Sequence, residues 1–445
     1  MILVIAEKPS VAQSIAKVLG ATSRKDGYME GGNYIVSWCF GHLVELADAS
    51  SYDERYAKWR YDDLPIVPEN WMFEVTKDKA QQFKVLSSLM KDKRVTDLVC
   101  ATDSGREGEL IFRLVYNKAG CTKPFKRLWI SSLEDSAIRE GFQHLRDGKE
   151  YDRLYEAALS RSKADWIVGI NGTRLFTTLY HKKLVVGRVQ TPTLAMLVER
   201  DGKISTFHKE KYFNVHVGKG DLTADLEKVK TEEEAKRIAA ACEKKQAVVS
   251  SLKRETKTVN PPKLYDLTTL QREANRYYGF TAQQTLDLVQ TLYEKKLLTY
   301  PRTDSQFITD DMEDTARQVI SIVCRQFPLF SGVLVTPDIA RVTDNSNVTD
   351  HHAILPTVQL EKQDVSALPQ SEQKILNLVG MRLLCATGEK HTYAETQISL
   401  SCESYTFKTK GKTVVQNGWK AIEELFKASL KTKEKDDPMK SLPEV

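Results

Sequence analysis

A short apolar run and a second expected strand, each leading straight into acidic residues, constrain this chain more than any other feature. Residues 2–6 are apolar without alternation, and Glu7-Lys8-Pro9-Ser10 follows at once. Residues 95–101 run likewise into Thr102-Asp103-Ser104-Gly105-Arg106-Glu107-Gly108-Glu109. A strand apolar on both sides must be covered on both sides, the condition of a parallel sheet sheathed in helices. The sequence supplies those helices: 11–19 is amphipathic and stopped by Gly20, and 110–116 follows the acidic turn. A third strand is expected at 128–132, with its helix at 134–145. Ligands of such sheets collect beyond the carboxyl ends of strands, where Glu7, Lys8, Asp103 and Glu107 fall. Asp103 and Glu107 are four apart and can face one side of the turn. Carboxylates meeting there suit Mg²⁺, which takes few protein ligands besides waters and phosphate oxygens. Equally, Asp103 can cap the helix while the glutamates complement its dipole.

A chain of 445 residues exceeds a single core, so two to four domains are expected. With 41% apolar and 28% charged residues it reads as globular. No run approaches the roughly 18 apolar residues of a membrane span. The apolar start meets Glu7-Lys8 too early for a signal peptide, so a cytoplasmic protein without membrane association is expected. Seven scattered cysteines, none in a CxxC pair, fit reduced thiols and exclude a disulfide framework or a zinc site. A net charge of +5 permits a polyanionic partner without demanding one.

Further along, residues 151–178 read as a helix with Trp166 in its helix-spaced seam and Arg161, Lys163 and Arg174 on its face, and Arg60 lies in the aromatic–basic triplet Trp59-Arg60-Tyr61. Gly187-Arg188-Val189-Gln190-Thr191-Pro192 offers donors on a glycine-opened turn, with Thr191 suited to cap a helix begun by Pro192. Alternation begins at 212–217, a charged helix is expected at 230–244, a return strand at 247–250, and Pro261-Pro262 marks a linker. Two helices at 267–278 and 282–294, the second capped by Thr281, then lead into a strand bearing Tyr300, a winged-helix-like order. In Tyr300-Pro301-Arg302-Thr303-Asp304-Ser305, Pro301 stops regular structure, which places the phenol at an element's end. A phenol is a weak nucleophile alone, but Arg302 can grip a phosphate nearby. A buried tyrosine with Arg302 on a surface carboxylate is the plainer alternative. Asp350-His351-His352-Ala353-Ile354-Leu355-Pro356-Thr357, a helix at 371–384 and strands at 396–401 and 405–410 complete the pattern.

The tyrosine segment, Gly187-Arg188-Val189-Gln190, the 160–174 segment and His351-His352-Ala353-Ile354-Leu355-Pro356-Thr357 together resemble type IA DNA topoisomerases, on the topoisomerase III branch. The two acidic strand ends are similar to the Toprim domain, whose Asp-x-Asp-x-Glu has Gly105 in place of its middle aspartate here. That loss leaves Glu109 as the nearest spare acid. The resemblance implies a multidomain fold, α/β plus α+β. It comprises a Toprim domain (1–150), a helical DNA-groove segment (151–210), a first part of a β-rich arch (211–262), a winged-helix-like domain carrying the tyrosine (263–357), and an arch return with a frayed tail (358–445). It implies Tyr300, Glu7, Lys8, Arg302 and His351 as catalytic residues, and Glu7, Asp103 and Glu107 as Mg²⁺ ligands. DNA contacts are expected from Arg60, Arg161, Trp166, Arg174, Gly187, Arg188, Val189, Gln190, Thr191 and Pro192. The implied activity is ATP-independent, Mg²⁺-dependent cleavage of one strand through a 5′-phosphotyrosine, strand passage and religation. Single-stranded and negatively supercoiled or catenated DNA would be the substrates of a monomer. A Toprim nuclease or primase, and a truncated inactive single-strand-binding fragment, are the alternatives. The family pattern continues past Val445, so the chain reads as carboxyl-terminally shortened.

Overall fold

A computed structural model describes residues 1–130, 133–333, 336–348 and 351–430. The expected strand end at Ser131 and Ser132, Asp350 of the histidine motif and residues 431–445 of the expected tail lie outside the described residues. The chain forms two compact units: Met1–Thr206 with Thr291–Tyr300, and Phe207–Gln290 with Pro301–Val445.

The first unit is built on a seven-stranded sheet. Its elements begin with β1 (Ile2–Ala6), α1 (Pro9–Leu19), β2 (Ser23–Lys25), β3 (Tyr28–Gly31) and β4 (Tyr34–Trp38). After β5 (Val44–Leu46) and α2 (Ala49–Tyr52) come β6 (Phe73–Val75), α3 (Ala80–Lys91), β7 (Asp97–Ala101) and α4 (Arg106–Lys118). Then follow β8 (Phe125–Arg127), α5 (Asp135–Gln143), β9 (Arg146–Asp147), α6 (Asp152–Tyr180) and α7 (Gln190–Ser205). The sheet order is β2-β3-β4-β1-β7-β8-β9. Its centre is parallel: Val4 on β1 lies beside Val36 on β4 and Val99 on β7. Alternate residues of β1 enter separate cores, Leu3 and Ile5 with Phe112 on one face, Val4 and Ala6 with Val11 and Ile15 on the other. This is the two-sided burial expected of an unalternating apolar run. Gly20 ends α1 in the left-handed conformation, where its amide reaches the Lys17 carbonyl.

The strand that pairs in parallel with β7 on its far side is Phe125–Arg127, earlier than the expected 128–132. The Leu128 amide still reaches the Cys100 carbonyl, but the Arg127 guanidinium takes the Cys100 and Leu128 carbonyls, and the ladder stops. In α7 the helix starts at Gln190, so Pro192 stands third in it, and Thr191 accepts from the Gly187 amide instead of capping.

The second unit holds β10 (His216–Lys219), β11 (Leu222–Asp225), α8 (Glu232–Cys242) and β12 (Val248–Val259). Its remaining elements are α9 (Leu267–Tyr278), the first part of α10 (Ala282–Glu294), α11 (Glu313–Gln326), α12 (Gln370–Ala386), β13 (His391–Cys402), β14 (Tyr405–Gln416) and α13 (Lys420–Ser429). The sheet runs β10-β11-β14-β13-β12, so the two late strands lie between β11 and β12. Ile398, Leu400 and Phe407 pack with Ile238 of α8 beneath it. Thr281 opens α10 with a reciprocal cap: its hydroxyl accepts from the Gln284 amide and its amide donates to the Gln284 side chain. Arg382 of α12 ties the helices to the linker, paired with Glu273 of α9 and lying over the Tyr265 ring at 4.3 Å.

Residues 297–300 are no named strand of any sheet, contrary to the expected tyrosine-bearing strand. The amides of Leu297 and Leu298 turn back to the Leu292 carbonyl, and Leu298 takes part in an isolated bridge instead of a longer ladder.

Candidate active site

Tyr300 is the last residue of the Thr291–Tyr300 segment, and Pro301 begins the next stretch of the second unit. The ring is 8% exposed and packs in the core that holds Val4, Val99 and Ala101. Its hydroxyl donates to Asp103 Oδ2 at 2.9 Å. The Asp103 amide in turn donates to Glu7 Oε2 at 3.2 Å. Thus the phenol and the acids of two strand ends, β1 and β7, lie in one hydrogen-bonded line. Tyr293 stands edge-on to the Tyr300 ring, centroids 5.3 Å apart. Burial, and then the negative charge of Asp103 and Glu7, holds its phenol well above the usual tyrosine range.

The turn that aims Asp103 is shaped by its glycines and by an arginine below it. A Cβ on Gly108 would stand 2.1 Å from the Asp103 carbonyl oxygen, so only glycine allows this approach. Thr102 Oγ1 donates to the Gly108 carbonyl at 2.8 Å. Arg127, fully buried, donates to the carbonyls of Thr102 (2.8 Å) and Asp103 (2.7 Å). Its charge is met by Glu109, also fully buried, with Arg127 Nε 3.1 Å from Glu109 Oε2. Arg113 completes the network at 2.8 Å from Glu109 and 2.7 Å from Asp152. Glu109 is therefore a structural counter-ion and no substitute for the missing aspartate. The same field acts on Cys100, whose thiol burial pushes up to about 11 against the pull of Arg127.

Glu107 lies 2.5 Å from His42 Nε2, and Lys79 Nζ fixes the His42 carbonyl at 3.0 Å. Among the described residues no three His, Cys, Asp or Glu side chains gather as a metal-holding group. Mg²⁺ is commonly held by one or two carboxylates completed by waters and phosphate oxygens. The Glu7–Asp103 pair fits that mode, whereas Glu107 is engaged with His42. Lys8 Nζ stands 3.8 Å from Glu294. In the second unit Arg302 is exposed and His351 is buried, its carbonyl accepting from Thr303 Oγ1 at 2.9 Å.

Of the expected nucleic-acid contacts, Arg60, Arg161, Arg188, Val189, Gln190, Thr191 and Pro192 are exposed, and Gly187 is half-buried. Arg188 forms a two-pronged pair with Asp165 at 2.7 and 2.9 Å. Arg174 and Trp166 are placed differently. Arg174 is 4% exposed, donates to the Tyr56 carbonyl at 2.7 Å and supports the Trp59 ring. Trp166 donates to the Ala47 carbonyl and is wedged edge-on between Tyr52 and Trp71. Asn171 adds a paired contact to the Ile66 backbone, donating at 2.8 Å and accepting at 2.6 Å. One face of α6 thus pins the loop that displays Trp59, Arg60 and Tyr61. Arg127 and Tyr293 were not singled out from sequence; a lone arginine at the end of a strand carries no local signal of burial.

No helix among the described residues is long and apolar enough to cross a membrane. The DNA topoisomerase family model matches residues 149–445, and the Toprim domain model matches residues 2–133. The chain is 40% identical over 462 residues to DNA topoisomerase 3 of Bacillus licheniformis, covering 99% of this chain and 62% of that protein. To DNA topoisomerase 3 of Bacillus subtilis it is 41% identical over 453 residues, with the same coverage. The chain therefore spans less than two thirds of the length of these relatives. The fold is similar to that of full-length topoisomerase I from Thermotoga maritima, with a TM-score of 0.71, 24% identity, and coverage of 95% of this chain and 67% of that one. With a Toprim domain at one end and the DNA topoisomerase match across the remainder, the chain belongs to the type IA DNA topoisomerase family.

Proposed function

We propose that this chain cleaves and rejoins one DNA strand through a phosphotyrosine at Tyr300. The observation that carries the reading is the Tyr300–Asp103 hydrogen bond at 2.9 Å, with Glu7 next in line. A bound single strand lies along Arg161, Arg188 and Gln190, with Arg60 and Trp59 at its edge. Tyr300 Oη attacks a backbone phosphorus and gives its proton to the Asp103 carboxylate. The bond to the 3′-oxygen breaks, and that oxygen takes a proton from Glu7. The new P–O bond conserves the phosphodiester, so the 3′-hydroxyl can reverse the reaction without ATP. Lys8 and Arg302 neutralise charge on the non-bridging oxygens, the main task in phosphoryl transfer. His351 supports the phosphate. Once Glu7 has given up its proton and Asp103 has released its own to solvent, the two carboxylates would hold Mg²⁺, which would supply charge neutralisation at the 3′ end for religation. Acting as a monomer on negatively supercoiled or catenated DNA, the chain would open by moving the Tyr300 segment off the acidic pocket.

The deciding experiment mixes the protein with end-labelled single-stranded DNA and stops the reaction with detergent. A protein–DNA adduct that disappears in Tyr300→Phe supports the reading. Cleavage without a protein link would favour hydrolysis by the Toprim site instead, and binding without cleavage would favour a single-strand-binding fragment.

A further inference from the structure

We propose that Lys296 and Asp135 are positioning residues: together they form a latch that sets how long the Tyr300 segment stays seated on the acidic pocket. The inference rests on the phosphotyrosine reading and deepens it. The ten residues Thr291–Tyr300 belong to the first unit, while the chain on either side of them belongs to the second. They are a strap, joined at both ends to another body. Contacts besides the Tyr300–Asp103 hydrogen bond also hold it. Tyr293 is 5% exposed in the core of Val4 and Val99. Glu294 lies 3.8 Å from Lys8, and Lys296 Nζ lies 2.8 Å from Asp135 Oδ1 in the first turn of α5.

The Lys296 contact is distinguished by its backbone. Lys296 has φ +63°, the left-handed conformation that follows the end of α10. Its amide closes on the Tyr293 carbonyl at 2.8 Å, and the Leu297 amide on the Leu292 carbonyl at 2.8 Å. Glycine is the residue favoured at such a helix end, and lysine there adopts a disfavoured conformation. What lysine gains is the ion pair, which also holds the Asp135 carboxyl below its usual range. The two side chains are 21% and 39% exposed, so the pair is open to salt and weak enough to break in each cycle. A tightly buried pair would lock the strap; this one meters it.

Hydrogen exchange of the peptide covering 291–300 tests the latch in the intact chain. In Lys296→Gln and in Asp135→Asn its exchange should speed up about three- to tenfold, with β1 and β7 unchanged. The double variant should match either single one, and Lys296→Arg should keep slow exchange. Raising salt from ~0.05 to ~0.5 M should speed exchange more in the unaltered protein than in the variants, which keep only the Lys8–Glu294 pair to be screened. Additive effects, unchanged exchange of 291–300, or faster exchange spread through the sheet would each overturn the proposal. Adduct formation on a short single strand is measured alongside. An adduct missing in the unaltered protein, with the exchange pattern intact, would remove the phosphotyrosine reading and leave the latch standing.

Discussion

A phenol hydrogen-bonded to a carboxylate differs chemically from a phenol in water, and the behaviour of single residues follows from that contact. Replacing Asp103 with Asn keeps the shape but removes the proton acceptor. Adduct formation should then fall by about 10²–10⁴, the usual range for a lost general base, as read from single-turnover cleavage of a short single strand. Gly108→Ala places a methyl against the Asp103 carbonyl at 2.1 Å. It should lower stability by about 1–3 kcal/mol in denaturant unfolding and displace Asp103, so cleavage should fall as well. Much of this site was legible in the sequence because strand-to-acid-to-helix junctions and Tyr300-Pro301-Arg302 are local patterns. The residues beneath them were not legible. Arg127 and Glu109 matter through burial, and burial is set by elements far apart in the chain. Trp166 and Arg174 illustrate the opposite case, an aromatic–basic face that looks like a binding surface but is spent on holding a loop.

The elements themselves follow the apolar patterns closely where a core decides them. The unalternating β1 and β7 are central strands, and α8, α9, α10 and α12 stand where periodicity placed them. Where other groups capture the backbone, the pattern misleads: the Arg127 guanidinium takes carbonyls at the end of β8, and past the end of α10 the Leu297 and Leu298 amides turn back to the Leu292 carbonyl. Breaking the pair beneath the acidic turn by Glu109→Gln leaves Arg127 buried with reduced compensation and should cost about 3–5 kcal/mol, measured by denaturant unfolding. In the second unit, burial holds His352 below the ordinary imidazole range near 6.5. Its folded pKa lies below its unfolded one, so the unfolded chain binds the extra proton as pH drops. The stability that neutral His352 contributes is complete above about pH 6.5 and is lost as pH falls towards the folded value. Thermal unfolding from pH 7.5 to 5 should show this decline, and His352→Gln should flatten it.

At the scale of the molecule, Tyr300 ends a ten-residue segment that belongs to the first unit, with Asp103 and Glu7, while its chain neighbours on both sides belong to the second. This arrangement suits an enzyme that must cut a strand, part the ends and bring them back. The seating contact is where chemistry and movement meet, so covalent capture of DNA tests it most directly. The measurement is detergent trapping of the protein on 5′- and 3′-labelled single strands, followed by sequencing of the linked peptide. The account predicts DNA joined through its 5′ phosphate to Tyr300 and no adduct in Tyr300→Phe. Cleaved DNA with a free 5′ phosphate and unmodified Tyr300 would contradict it.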